Sequence, residues 1–313
     1  MLVLVTIVTL ILGIAIGSVN ISPMAFFTDE TMRVIILNVR LPRVLMAFVA
    51  GFGLSLSGVI VQAVLKNPLA GSFTLGTASG ASVGASLAII ASLSFLGAFT
   101  IPFFGFLFAT LTVFICIYIA NKVNGLKNIS IILFGMAISF FFNSILTIML
   151  VFNAESPQRL IFWQLGSFFG FSYTHIIIIN VVVLLCSILT IVKNKALDIL
   201  TLDDVAAKSI GIDTPKYKAF FLLTSAVLTG SIISFTGIIG FVDLFSPHIA
   251  RKIYGASHRK IIIPACLIGG NFMVLSDLIS RTIFSPREIP VGAVTAFIGG
   301  PLFIYIFATM RKN

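Results

Sequence analysis

Ten acidic side chains in 313 residues leave few groups able to move a proton or hold a cation. Two of them, Asp243 and Asp277, fall within long apolar runs. An acid at the middle of a membrane is what an ion-coupled carrier needs. Asp243, however, adjoins a break in the apolar pattern, "TGIIG" (236–240), and Asp277 precedes Arg281 by four residues. Those positions suit a hydrogen bond to a helix end and an ion pair, so structural roles are expected for both. His175, His248 and His258 are scattered near the ends of apolar runs and read as interfacial polar tips. Cys116, Cys186 and Cys266 lie inside apolar runs without metal-ligand spacing and read as small buried groups. No G-x-x-x-x-G-K-[ST] or H-E-x-x-H is present. The chain therefore cradles no nucleotide phosphates and shows no constellation for an embedded enzyme.

The polar stretch with the clearest pattern is "TLDDVAAKSIGIDTP" (201–215). Leu202, Val205, Ala206, Ser209 and Ile210 fall at i, i+3, i+4, i+7 and i+8, one face of a helix, with Asp203, Asp204 and Lys208 on the other side. Thr201 with Asp204 three residues on forms a weak capping-box pattern. Asp204 and Lys208 form an i,i+4 pair, Gly211 is the expected stop, and Pro215 lies just beyond. Two turns of helix are marginal alone in water. The Leu202/Val205/Ile210 face must therefore be covered, either by the end of its own bundle or by a partner protein.

Around these residues the chain is 58% apolar and 10% charged, against about 25% charged in soluble domains. Apolar runs of 18 or more residues recur without alternation, which predicts an all-α polytopic membrane protein rather than a β-barrel. The N-terminal run lacks a positive leader and a clear cleavage site, and a retained first helix is expected. The net charge of +10 resides in loops that orient helices, not in a nucleic-acid surface. All eleven lysines fall in clusters that mark cytoplasmic loops: Lys66; Lys122 and Lys127; Lys193 to Lys218; Arg251 to Lys260; Arg311 and Lys312. Even numbers of crossings between these clusters place helices near 2–19, 43–65, 73–95, 99–120, 129–152, 174–192, 261–283 and 290–310. Two more fall within 219–250. Thirty-two residues reach only about 48 Å as helix, too little for two ~30 Å spans, so the second helix there must be short. Ten crossings result, with both termini cytoplasmic. Gly13/Gly17, Gly80/Gly84 and Gly166/Gly170 are expected to be close helix-packing faces.

"RLPRVLMAFVAGFGLSLSGVIVQAVLKNPLAGSFTLGTASGASVGA" (40–85) closely resembles the signature of FecCD-type permeases. "FWQLGSF" (162–168), "DDVAAKSIGI" (203–212), "GIIGFVDLFSPHIAR" (237–251) and "EIPVGAVTAFIGGPLFIYI" (288–306) match further blocks in order. These are the membrane subunits of bacterial ABC importers for ferric siderophores, haem and vitamin B12. The resemblance implies one ten-helix domain over 1–313, a BtuC-like type II importer fold, in the bacterial cytoplasmic membrane. It implies that the loop at about 194–217 carries coupling helices for a separate ATPase. Leu202, Asp203, Asp204, Val205, Ala206, Lys208, Ile210 and Gly211 then become the ATPase-facing element, although relatives often have Gly where this chain has Asp203.

The resemblance further implies that Arg40, Arg43 and Arg281 dock acids of an extracytoplasmic binding protein; without it they read as interfacial anchors. Ser139, Asn143 and the turn Trp163, Gln164, Gly166, Ser167 are implied to line the pathway. The implied partners are two ATPase subunits, which hold ATP and Mg, a second permease subunit, identical or paralogous, and membrane lipid. No cofactor is expected in this chain. A ferric siderophore is the expected cargo, with haem or cobalamin as alternatives. An ion-coupled carrier acting alone is the rival from another class.

Overall fold

The computed structural model describes residues 1–17, 29–152, 157–202 and 204–310 of the chain, and these contain helices and no strand. The helices are α1 Leu2–Ala15, α2 Glu30–Leu65, α3 Thr77–Ile90, α4 Thr100–Asn124, α5 Asn128–Phe152, α6 Pro157–Leu165, α7 Tyr173–Val192, α8 Asn194–Leu200, α9 Asp204–Ser209, α10 Thr214–Thr236, α11 Val242–Tyr254, α12 His258–Thr282 and α13 Val291–Met310. Each of the ten expected crossings coincides with one of them. Six are long and apolar enough to cross a membrane, and α1, α3 and the start of α13 are shorter apolar helices. The tenth, α11, has 13 residues, about 20 Å of helix. It comes after the break at Gly237, whose positive φ of 74° ends α10.

Helix α2 begins well before its expected start near 43. Asp29 caps it by accepting from the Thr31 and Met32 N–H groups at 2.8 and 3.3 Å. Within it, Ile36–Arg40 is π-helical. Pro42 has no N–H for the carbonyl four residues back, and the ladder shifts so that the Leu41 N–H bonds to the Ile36 carbonyl. The Leu37 carbonyl is left over, and the Tyr173 hydroxyl donates to it at 2.6 Å. A long helix thus passes through the proline instead of starting after it.

Helix α2 lies at the centre of the bundle, packed on α12, α10, α11 and α7. Its approach to α12 is backbone to backbone. A Cβ on Gly51 would stand 2.3 Å from the Gly269 carbonyl oxygen, and one on Gly269 would meet Gly51 and Ser55. Helix α11 closes on the same helix, for a Cβ on Gly58 would stand 1.9 Å from the Asp243 carbonyl oxygen. Small residues permit this proximity in a medium that gives helices little hydrophobic reason to associate. Gly80 and Gly84 play the expected part between α3 and α4, against the Phe108 and Phe104 carbonyls. Gly166 and Gly170 do not: they lie in the turn after α6 with φ of 75° and 82°.

Gly51→Ala is expected to lower the melting temperature in detergent, since overpacking costs about 1–3 kcal/mol. Gly300→Ala, where nothing lies within 4 Å of the added carbon, is expected to leave it unchanged.

Candidate coupling and pathway sites

The loop between α7 and α10 holds two short helices of different character. α8 buries Ala196, Leu197 and Leu200 in the bundle. Thr201 caps α8, not α9: its hydroxyl donates to the Asp198 carbonyl at 2.6 Å. α9 ends at Ser209, and Gly211, two residues on, takes a φ of 86°, which suits the expected stop. Of its apolar side chains, Ala207 is fully buried and Ile212 just beyond packs on the core. Leu202 is 45% exposed, Ile210 is 58% exposed, and Ala206 is exposed between them. Its own bundle therefore takes the Ala207 side and leaves the Leu202–Ala206–Ile210 stripe uncovered. Asp203 lies outside the described residues, as do the side chains of Asp204, Val205 and Lys208. Asp213 caps α10 through the Lys216 N–H, and Pro215 sits in the first turn of that helix.

Polar groups tie this inner end together. Asp198 accepts from the His258 N–H at 2.9 Å and meets its Nδ1 at 2.6 Å. The buried Lys218 Nζ donates to the Leu126 carbonyl at 3.3 Å, joining α10 to the α4–α5 turn. Asp243 is buried and accepts from the Ser72 N–H and Oγ, both at 2.8 Å, at the start of the 3-10 turn Ser72–Leu75. Gln62 donates to the Asp243 and Leu244 carbonyls and accepts from Arg251. The helix-end role expected of Asp243 is the one found.

The outer arginines depart from expectation. Arg43 is 5% exposed and Arg281 3%. The Arg43 Nε spans both Asp277 oxygens at 2.9 and 3.1 Å, and its Nη1 reaches Glu288 at 2.8 Å. Arg281 pairs with Asp277 at 3.5 Å and donates to the Gly13 carbonyl. Arg40, also buried, donates to the Ile14 and Ala15 carbonyls at 3.1 and 2.8 Å. The last carbonyls of a helix have no partner within it and carry partial negative charge, and the end of α1 is closed by two guanidiniums. The three arginines thus hold α1, α2 and α12 together and do not face outward. Arg33, Arg159 and Arg287 are exposed. A pocket of about 270 Å³ of mixed polar and apolar lining, including Asn38, Val39, Arg43, Phe169, Phe171 and Ser172, adjoins the cluster.

Three irregular segments meet at the implied pathway turn. The Ser167 N–H donates to the Thr236 carbonyl at 2.9 Å, and the Val291 N–H to the Gly166 carbonyl at 3.2 Å. A Cβ on Gly237 would stand 2.1 Å from the Trp163 carbonyl oxygen. Trp163 and Gln164 are half-buried, and the Gln164 Nε2 has no acceptor among the described residues. Ser139 lies elsewhere, over Gly76 at the start of α3, its hydroxyl bonded to Gly135. Asn143 is exposed on α5, beside the exposed Ser144 and Thr147. Those two hydroxyls bond back to their own helix. Sequence reasoning missed Asp198, Lys218 and the partnership of Glu288. The polar "SHRK" (257–260) at a helix start was the available sign of the first.

The FecCD transport family matches residues 5–309. The "Uncharacterized ABC transporter permease protein YvrB" of Bacillus subtilis is 34% identical over 98% of this chain and 92% of its own. The iron(3+)-hydroxamate import permease FhuG of the same organism is 31% identical over 99% and 95%. A solved metal-chelate type ABC transporter in an inward-facing conformation superposes with a TM-score of 0.90, at 31% identity, over 98% of this chain and 97% of that one.

Arg43→Gln and Asp277→Asn are each expected to destabilise the purified chain by about 3–5 kcal/mol, since each strands a buried partner. The double variant is expected to cost less than the sum, measured as a thermal-unfolding cycle.

Proposed function

The chain belongs to the FecCD transport family, the multi-pass membrane subunits of ABC transporters whose ATPase activity lies in separate subunits, and from that premise we propose that it imports a ferric siderophore. The observation that carries the coupling half of this reading is the uncovered Leu202–Ala206–Ile210 stripe on α9. An apolar stripe on a short helix needs a cover, and a groove on the ATPase supplies one. Asp203, Asp204, Val205, Lys208 and Gly211 complete that element. Two copies of the ATPase close on ATP and Mg, and two permease subunits, identical or paralogous, enclose the pathway.

Asn143 supports the second permease subunit. An amide facing hydrocarbon costs several kcal/mol, so this face of α5 meets water or protein. With Ser139 and the turn Trp163, Gln164, Gly166 and Ser167, it offers a wide lining of weakly polar groups, suited to a large polar chelate. At the outer surface, exposed Arg33, Arg159 and Arg287 and the pocket beside Arg43 offer acids of a binding protein their docking face. The lysine clusters favour a cytoplasmic position for both termini.

Relatives differ in cargo: molybdate for one in Haemophilus influenzae, cobalamin for one in Halobacterium salinarum, iron chelates for several. Iron chelates recur most among these relatives, which favours a siderophore here. The ion-coupled alternative is disfavoured by Asp277, already paired with two arginines, and by Asp243, held by Ser72.

The test is reconstitution with the ATPase and a binding protein. Ferric siderophores are expected to stimulate ATP hydrolysis, and haem, cobalamin and molybdate not to. Stimulation by cobalamin alone would replace the cargo, and uptake by the isolated chain along a proton gradient would end the importer reading. Leu202→Arg and Ala206→Trp are each expected to abolish uptake and co-purification of the ATPase. Normal uptake in both variants would remove the coupling role.

A further inference from the structure

We propose that Asp198 and His258 form the joint through which the ATPase-facing loop moves the α2–α12 pair, which makes both positioning residues for transport. The inference rests on the reading that α9 meets the ATPase. It adds where the motion goes next.

The joint has an unusual construction. The residue before α12, Ser257, makes no side-chain cap. Asp198, sixty residues earlier, takes that place by accepting the His258 N–H at 2.9 Å and meeting Nδ1 of the same residue at 2.6 Å. A carboxylate is favoured at a helix N-terminus, where N–H groups lack partners. The His258 ring is buried while Asp198 is partly exposed, so the contact sits at the edge of the bundle's base. On either side of Asp198, Leu197 and Leu200 are buried, and α8 packs on both α2 and α12. α8 therefore cannot move with α9 without carrying the start of α12 along.

The helix that α8 would carry is stiff. α12 has 25 residues, about 38 Å. Its Gly269 and Gly270 lie against Gly51 and Phe48 of α2 with no room for a Cβ, so the two helices shift together. At the outer end, Asp277 and Arg281 grip Arg43 of α2 and the last carbonyls of α1. A displacement at Asp198 thus reaches the outer ion cluster as movement of one packed unit.

The experiment uses the full transporter in proteoliposomes, with radiolabelled ferric siderophore imported per ATP hydrolysed as the readout. Asp198→Ala and His258→Ala are each expected to lower that ratio about tenfold while the ATPase still co-purifies. The double variant is expected to fall no further than the worse single one, because one joint is lost in all three. Asp198→Asn keeps the shape and an acceptor and is expected to recover most of the ratio. It also decides the matter if the alanine variants unfold at lower temperature, since a recovery requires the contact and not the charge alone. An unchanged ratio in Asp198→Ala, additive losses in the double variant, or loss of ATPase co-purification in Asp198→Ala would overturn the joint. Failure of the underlying reading looks different: Leu202→Arg would then leave import intact.

Discussion

The contact between α2 and α12 at Gly51 and Gly269 is the constraint on which the remaining structure depends. Two helices whose backbones touch, with only Ser55 and Met273 beside the contact, have little between them to slide or repack. Their relative position is therefore set at mid-bundle, and everything at their ends must fit that position. The same contact fixes how far apart Arg43 and Asp277 stand on the outer side. On the inner side α2 is joined to α11 by Gly58 and by Gln62, which holds the Asp243 and Leu244 carbonyls. α12 is held there by Asp198. A larger residue at either central glycine would push both polar clusters out of register, so the small residues and the charged ones form a single design.

The outer cluster shows why arginine occupies these positions. A buried guanidinium needs several acceptors, and its planar fork reaches them from one place. Arg43 takes both oxygens of Asp277 and one of Glu288. Arg40 and Arg281 take the carbonyls that α1 leaves open at its end. A lysine in any of the three would satisfy fewer groups and leave polar atoms buried without partners. Net stabilisation from such a cluster is modest, because desolvating the charges offsets much of the attraction. Its consequence is specificity: α1, α2 and α12 fit together at the outer end in one arrangement.

Local chemistry made much of the fold legible. Lysine clusters and span lengths gave ten crossings. "TGIIG" marked a break, and the arithmetic of 219–250 required a short α11, now found with 13 residues. The face of α9 could be drawn, but which side its own bundle covers could not, because Ala207 is defined as buried only by distant helices. Thr201 looked like a cap for α9 rather than α8 because the two short helices lie close in sequence. The contacts of the arginines were illegible for a related reason. Arg43 and Asp277 are 234 positions apart, and a single chain offers no sign that they meet. The resemblance drew those arginines outward, whereas the buried acids pull them in. The early start of the helix expected near 43–65 was illegible because a shifted hydrogen-bond ladder has no signature of its own.

The segments implied to line the pathway join the frame of α2 and α12 at different places. The Trp163–Ser167 turn reaches the bundle through the Thr236 carbonyl, the close approach at Gly237 and the start of α13. α5 packs on α2, α3 and α4, and the Leu126 carbonyl just before it is held by Lys218 of α10. Each segment has one polar contact with α10, the helix directly after α9. α10 itself is largely buried and packs on α2 and α4. The motion proposed for the loop would then reach α10 as well as, through Asp198, the glycine-locked pair. A helix that touches both pathway segments at opposite ends can shift them together only if it moves as a rod. The break at Gly237 is placed at the end of that rod, where the chain can bend without loosening the helix before it.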